Sequence, residues 1–157
     1  MNKARPYIIS ILFSLGTGVL SALLTRGNMN IYEEINTPLL SPPSFVFPIV
    51  WTVLFILMGI SAATVFNSTA ASPDKRTRAL FTYGLSLLVN LTWSIIFFNL
   101  KMYFFAFIWL ILLWVLILKT IFEYYEINKT AAFLQIPYLI WVSFAGYLSL
   151  AIFLLNK

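Results

Sequence analysis

Apolar and polar positions in this chain do not alternate; they fall into long blocks. Residues 6–25, 35–72, 79–100, 102–118 and 130–156 carry no charged side chain. A hydrocarbon core about 30 Å thick takes roughly 20 apolar helical residues to cross. The blocks therefore predict five spans, at about residues 6–25, 45–67, 79–100, 103–124 and 131–155. Lipid offers backbone N–H and C=O groups no partner, so a span is a helix or a strand of a closed barrel. Barrel strands alternate apolar with polar residues over about 10 positions. Residues 8–15 and 109–118 do not alternate, so helices are expected. The expected fold is an all-α integral membrane protein, one domain over residues 1–157, folded as a five-transmembrane-helix bundle.

Charge then sets an orientation. With an odd number of spans the two termini lie on opposite sides. Lys3, Arg5, Lys75, Arg76, Arg78, Lys119 and Lys129 collect on the N-terminal side, against Arg26, Lys101 and Lys157 on the other. Seven basic residues against three predict a cytoplasmic N-terminus, with a bacterial cell membrane as the expected location. The net charge of +5 is spread over loops and ends, so it reads as topology and not as a nucleic-acid site. The first apolar block is longer than a signal-peptide core and lacks a small-residue cleavage site after it, so it is expected to remain as a helix.

The first loop, residues 26–44, differs from a solvated linker. It holds Pro38, Pro42 and Pro43, with Pro48 close behind, and keeps Ile31, Ile35, Leu39 and Leu40. Proline fixes φ and stiffens a loop. This loop is expected to pack over the open end of the bundle and cap an internal cavity. Span one carries Ser10, Ser14, Gly18 and Ala22 four residues apart, a small-residue stripe that permits close helix packing. Gly59 and Ala63 offer a shorter stripe in span two. Packing within the chain is the first expectation for both, dimerisation the second.

Composition removes much chemistry. With no histidine and no cysteine, the chain has no Ser-His-Asp triad, thiolate nucleophile or histidine-ligated haem, and no metal site is expected. The spans hold no mid-depth carboxylate of the kind that couples transport to protons. What they hold is aromatic and weakly polar. Trp51 and Phe55 share a helix face, as do Asn90 with Trp93, and Trp141 with Ala145. The Asn90 amide needs a partner in apolar surroundings, either a neighbouring helix or a ligand. Ser21 and Thr25 face either a cavity mouth or their own helix carbonyls. Trp109 and Trp114 read as packing or lipid-facing residues.

One resemblance sharpens this picture. The stretch PPSFVFPIVWTVLFILMG at 42–59 resembles the signature of the TspO/MBR family, the translocator or tryptophan-rich sensory proteins, also known as peripheral-type benzodiazepine receptors. Arg26-Gly27 followed by Tyr32 is similar to that family's first loop. NLTWS at 90–94 with Phe97-Phe98 resembles its third span, and PYLIWVSFA at 137–145 its fifth. Three departures stand out. Leu148 is followed by Ser149 where members often have Leu-Asn. No basic residue follows Tyr147 before Lys157, so cholesterol binding is not expected. Trp109 stands where animal members carry an aspartate.

The resemblance implies a bundle that is commonly a homodimer. It implies binding of a tetrapyrrole, protoporphyrin IX above all, and of synthetic benzodiazepine-type or isoquinoline carboxamide ligands. The implied ligand-binding residues are Ser21, Thr25, Tyr32, Phe47, Trp51, Phe55, Asn90, Trp93, Phe105, Ala106, Trp141, Ala145 and Leu148. A receptor or sensor is the first functional expectation, with no cofactor. The alternatives are an enzyme degrading protoporphyrin with light and oxygen, in which Trp51 and Trp141 would be the catalytic residues, a tetrapyrrole transporter, and a membrane scaffold. Transport has against it that five spans cannot divide into two equal repeats.

Overall fold

A computed structural model describes residues 3–28 and 35–157, so Tyr32 lies outside the described residues. Helix α1 (Ala4–Thr25) ends in a 3-10 turn (Arg26–Asn28). It is followed by α2 (Val46–Asn67), α3 (Pro73–Ser94), α4 (Tyr103–Tyr125) and α5 (Lys129–Leu155). Between α3 and α4 the chain makes one π turn, Ile95–Asn99. All five helices are long and apolar enough to cross a membrane, with mean hydropathy from 1.6 to 2.5. The protein is an all-α, five-helix membrane bundle.

Helix ends follow capping chemistry more closely than charge. Helix α3 begins at Pro73, ahead of the expected Ala79. The Ser72 side chain accepts a hydrogen bond from the Lys75 N–H at 3.3 Å, Pro73 occupies the first turn, and Asp74 complements the helix dipole there. Likewise the Asn128 side chain accepts from the Ala131 N–H at 3.0 Å and starts α5. Charged first turns thus belong to the helices while standing clear of the apolar block.

The helices close into a ring: α1 packs on α2, α2 on α5, α5 on α4, α4 on α3, and α3 on α1. Lipid gives helices no hydrophobic reason to associate, so close packing and polar ties must hold them. The small residues of α1 and α2 supply the first. A Cβ on Gly59 would stand 2.6 Å from the Ile11 Cα, and one on Gly18 2.6 Å from the Phe55 ring. Both stripes therefore serve packing within the chain. Polar ties supply the second. The hydroxyls of Ser14 and Tyr83 join α1 to α3, and those of Tyr7 and Thr64 join α1 to α2 at 3.1 Å. Ser61 donates to the Ala131 carbonyl at 2.7 Å and accepts from Gln135 Nε2 at 3.2 Å, tying α2 to α5.

The described part of the first loop is seated on α5. Asn36 and Asn156 exchange two hydrogen bonds, N–H to Oδ1 at 3.0 Å and Nδ2 to the Asn36 carbonyl at 2.9 Å. The Tyr147 hydroxyl donates to the Leu39 carbonyl at 2.7 Å. Within the loop, Ser41 N–H reaches the Pro38 carbonyl at 3.3 Å, with Leu40 at φ 74° in the third position of the turn. That position ordinarily favours glycine, so the loop's seating holds a leucine in a left-handed conformation. The described part of the proline-rich first loop is thus fastened at this end of the bundle.

Candidate ligand site beneath the first loop

Three helices carry an aromatic wall each toward the capped end. On α2, Trp51 stacks on Phe55 with ring centroids 5.5 Å apart and meets Tyr138 edge-on at 6.2 Å. On α3, Trp93 stacks on Phe97 at 5.3 Å and meets Phe98 edge-on at 6.3 Å. On α5, Trp141 meets Phe47 at 5.9 Å and Phe144 at 5.5 Å. Phe55, Trp93, Phe97 and Tyr138 belong to one continuous apolar cluster with Ala106 and Ala145, and Trp51, Phe98 and Trp141, which are only partly buried, pack against it.

Its floor is polar. Asn90 is buried, and its Nδ2 donates to the Tyr138 hydroxyl at 3.2 Å, so α3 and α5 are tied at mid-depth. Trp93 and Trp141 each stand three residues nearer the capped end than this pair, about 4.5 Å along the axis at 1.5 Å per residue. Both indole N–H groups are buried and lack a hydrogen-bond partner among the described residues. An unpaired buried donor costs about 1–3 kcal/mol. Two of them fall at one level of one aromatic cluster; among the described residues Arg76 Nε, the Tyr124 hydroxyl, Gln135 Oε1 and Ser149 Oγ are likewise buried without a partner.

The other expected site residues fall in three groups. Thr25 is buried but its hydroxyl donates to the Ser21 carbonyl at 2.8 Å, the helix's own backbone. Ala106 and Leu148 are buried, Leu148 one turn beyond Ala145 on α5. Phe105 is not brought into the cluster: it is 43 % exposed and stacks on Trp109 at 6.0 Å. Trp109 in turn anchors α4 to α3, its Nε1 donating to the Thr92 hydroxyl at 2.8 Å and the Val89 carbonyl at 3.0 Å. It packs, as the sequence predicts, and supplies no polar group to the cluster.

Tyr138, Tyr147 and Asn156 are the residues the sequence reading leaves out. Tyr138 carries a signal, since it sits beside Pro137 in the fifth-span motif and a buried amide such as Asn90 demands a partner. Tyr147 and Asn156 carry none, because their partners are backbone groups of a loop more than a hundred residues away. The π turn adds a further contribution. It brings Phe97 and Phe98 together at 5.0 Å, and lets Asn99 donate to the Leu24 carbonyl at 2.9 Å while accepting from Asn28 at 2.8 Å. Such turns recur at functional sites.

A membrane-embedded five-helix bundle with an aromatic cluster under a seated loop defines a class of integral membrane protein. The particular family follows from comparison: residues 10–155 match the TspO/MBR family, and the chain belongs to it. It is similar to a tryptophan-rich protein TspO of Chlorobaculum tepidum, 36% identical over 125 residues, 80% of this chain and 78% of that one. It is 31% identical to a tryptophan-rich sensory protein of Cereibacter sphaeroides over 99% of this chain and 95% of that one. A translocator protein of Bos taurus is 28% identical over 93% of this chain and 89% of its own length. Family and names together support a membrane receptor or sensor kind of role.

Proposed function

We propose that this protein is a membrane receptor for a metal-free tetrapyrrole of the protoporphyrin IX type, held among Trp51, Trp93 and Trp141 beneath the first loop. The observation that carries the reading is the pair of buried, unpartnered indole N–H groups of Trp93 and Trp141 within one aromatic cluster. A flat macrocycle suits aromatic walls, and its ring nitrogens and carboxylates accept hydrogen bonds. Arg26 and Lys101, both at the capped end and exposed, suit propionates at the mouth. Entry parts the contacts of Trp51 with Tyr138 and of Trp141 with Phe47, so binding replaces ring-on-ring contact with ring-on-ligand contact. The same walls suit flat synthetic ligands of the benzodiazepine or isoquinoline carboxamide type. The basic residues on the N-terminal side favour a cytoplasmic N-terminus in a bacterial cell membrane.

A second reading rests on the edge contact of Trp51 with Tyr138. Two oxidisable rings beside a light-absorbing ligand suit light- and oxygen-dependent degradation of the porphyrin. One experiment tests both. Purified protein is titrated with protoporphyrin in darkness and in light, with and without oxygen. The receptor predicts saturable quenching of tryptophan fluorescence, weakened in Trp93→Phe, and no product. A new absorbing product that requires protein, light and oxygen selects the enzyme. Quenching that never saturates overturns both.

A further inference from the structure

The end of the bundle opposite the loop holds two hollows that share one side chain. The first, about 500 Å³, opens between the start of α3 and the end of α4 and is lined by Lys75, Arg78, Lys119, Glu123 and Glu126. The second, about 920 Å³, is a groove between α1, α2 and α3, with Arg5 at its outer end and Phe13, Ala62, Ala63 and Gly84 further in. Phe81, 66 % exposed, lines both.

The charges of the first hollow are not balanced. Lys75 pairs with Glu126 at 3.1 Å. Glu123 accepts from the Thr82 hydroxyl at 2.9 Å and stands 3.8 Å from Lys119, beyond hydrogen-bond reach. Among the described residues the Arg78 guanidinium has no carboxylate partner. Three cations against two carboxylates leave one net positive charge. Arginine is the residue best shaped to take a phosphate bidentately. The carboxylates supply acceptors for a group that also bears hydrogen-bond donors.

Depth and polarity identify the occupant. Phe81 lies eight residues into α3, about 12 Å from its start, and Phe13 lies about 12 Å beyond Arg5 on α1. Both distances fall within one leaflet of a core about 30 Å thick. A polar, net-cationic hollow at the membrane surface therefore leads past an exposed aromatic ring into an apolar groove one leaflet deep. A soluble anion would use only the first hollow. A second copy of the chain would use only the second, and would place its own Arg5 in the same region of positive charge. We propose that the two hollows together hold one phospholipid, its phosphate on Arg78 and Lys119, its headgroup hydroxyls on Glu123 and Glu126, and an acyl chain past Phe81 into the groove.

Native mass spectrometry of the full chain in detergent tests this, with phosphatidylglycerol, phosphatidylcholine and glycerol 3-phosphate as probes. Phosphatidylglycerol is expected to be retained over phosphatidylcholine, whose headgroup has no donors. Arg78→Gln is expected to lower that retention about fivefold, the worth of one basic residue near an anionic headgroup, and Arg78→Lys to recover most of it. Gly84→Leu projects a side chain into the groove from a position where a Cβ meets no atom within 4 Å, and is expected to lower retention too. Glycerol 3-phosphate is expected not to displace the lipid. Far-ultraviolet circular dichroism checks that each variant is folded, and porphyrin quenching should be the same in Arg78→Gln and wild type. Unchanged retention in Arg78→Gln overturns the proposal. So does displacement by glycerol 3-phosphate with no effect of Gly84→Leu, which marks a soluble-anion pocket. Loss of a dimer in Gly84→Leu with lipid retention intact also overturns it, and assigns the groove to a second copy.

Discussion

The two ends of this bundle are held together in different ways. Toward the uncapped end, α1 and α2 approach until a Cβ on Gly59 would stand 2.6 Å from the Ile11 Cα and 2.9 Å from its Cγ1, and the hydroxyls of Tyr7, Ser14 and Ser61 find partners across helices. Toward the capped end the contacts run through aromatic rings, with Gly18 meeting the Phe55 ring. Two indole N–H groups are unpaired there among the described residues, and the described part of the loop rests on three hydrogen bonds to Tyr147 and Asn156. Close backbone packing admits one arrangement, whereas ring contacts can be exchanged for contacts with another flat molecule. The comparison teaches that close backbone packing holds one half of the bundle and exchangeable ring contacts the other.

The hardest way to break this division is Gly59→Val. Its side chain must displace the α1 backbone, so a loss of about 3 kcal/mol is expected from overpacking. Thermal unfolding in detergent measures it; a melting temperature equal to wild type would mean the α1–α2 contact is not the tight one. Trp51→Ala acts at the other end. It is expected to weaken porphyrin binding by about 2 kcal/mol through loss of one aromatic wall, read by fluorescence titration. Asn156→Ala removes both bonds to Asn36, and a loosened cover is expected to weaken binding by about 1 kcal/mol. Unchanged affinity in Asn156→Ala would make the loop a bystander. Trp114→Phe sets the baseline. This residue is 36 % exposed, and its Nε1 donates to Ser143 away from the cluster, so a change under about 0.5 kcal/mol is expected in either assay. A larger effect on binding would misplace the site.

The membrane fold was legible because apolar blocks of span length have few other uses. The charge count sets the start of α3 at 79, whereas the cap at Ser72 with Pro73 and Asp74 begins the helix at Pro73 and takes Lys75, Arg76 and Arg78 into it. Helical spacing correctly paired Trp51 with Phe55, because such neighbours are local. It left Asn90 between a ligand and a helix, since only tertiary structure shows Tyr138 opposite. Phe105 shows the converse. The resemblance places it at the site, but α4 is turned so that Ala106 faces the core and Phe105 faces outward beside Trp109. Helix rotation of this size is set by packing against neighbours, which a single sequence does not display.

The seating of the first loop has a consequence for biogenesis. Asn36 and its partner Asn156 are 120 residues apart, and Leu39 and Tyr147 are 108 apart. Chains are made from the N-terminus onward. The loop therefore emerges between the first two helices and has nothing to rest on until α5 has been inserted. Helices α1 and α2 can join early through Gly59, so the uncapped end is assembled while the walls on α3 and α5 are still to come. The final fastening waits for Asn156: a chain halted just short of it would keep the Tyr147 bond to Leu39 and lack both bonds to Asn36.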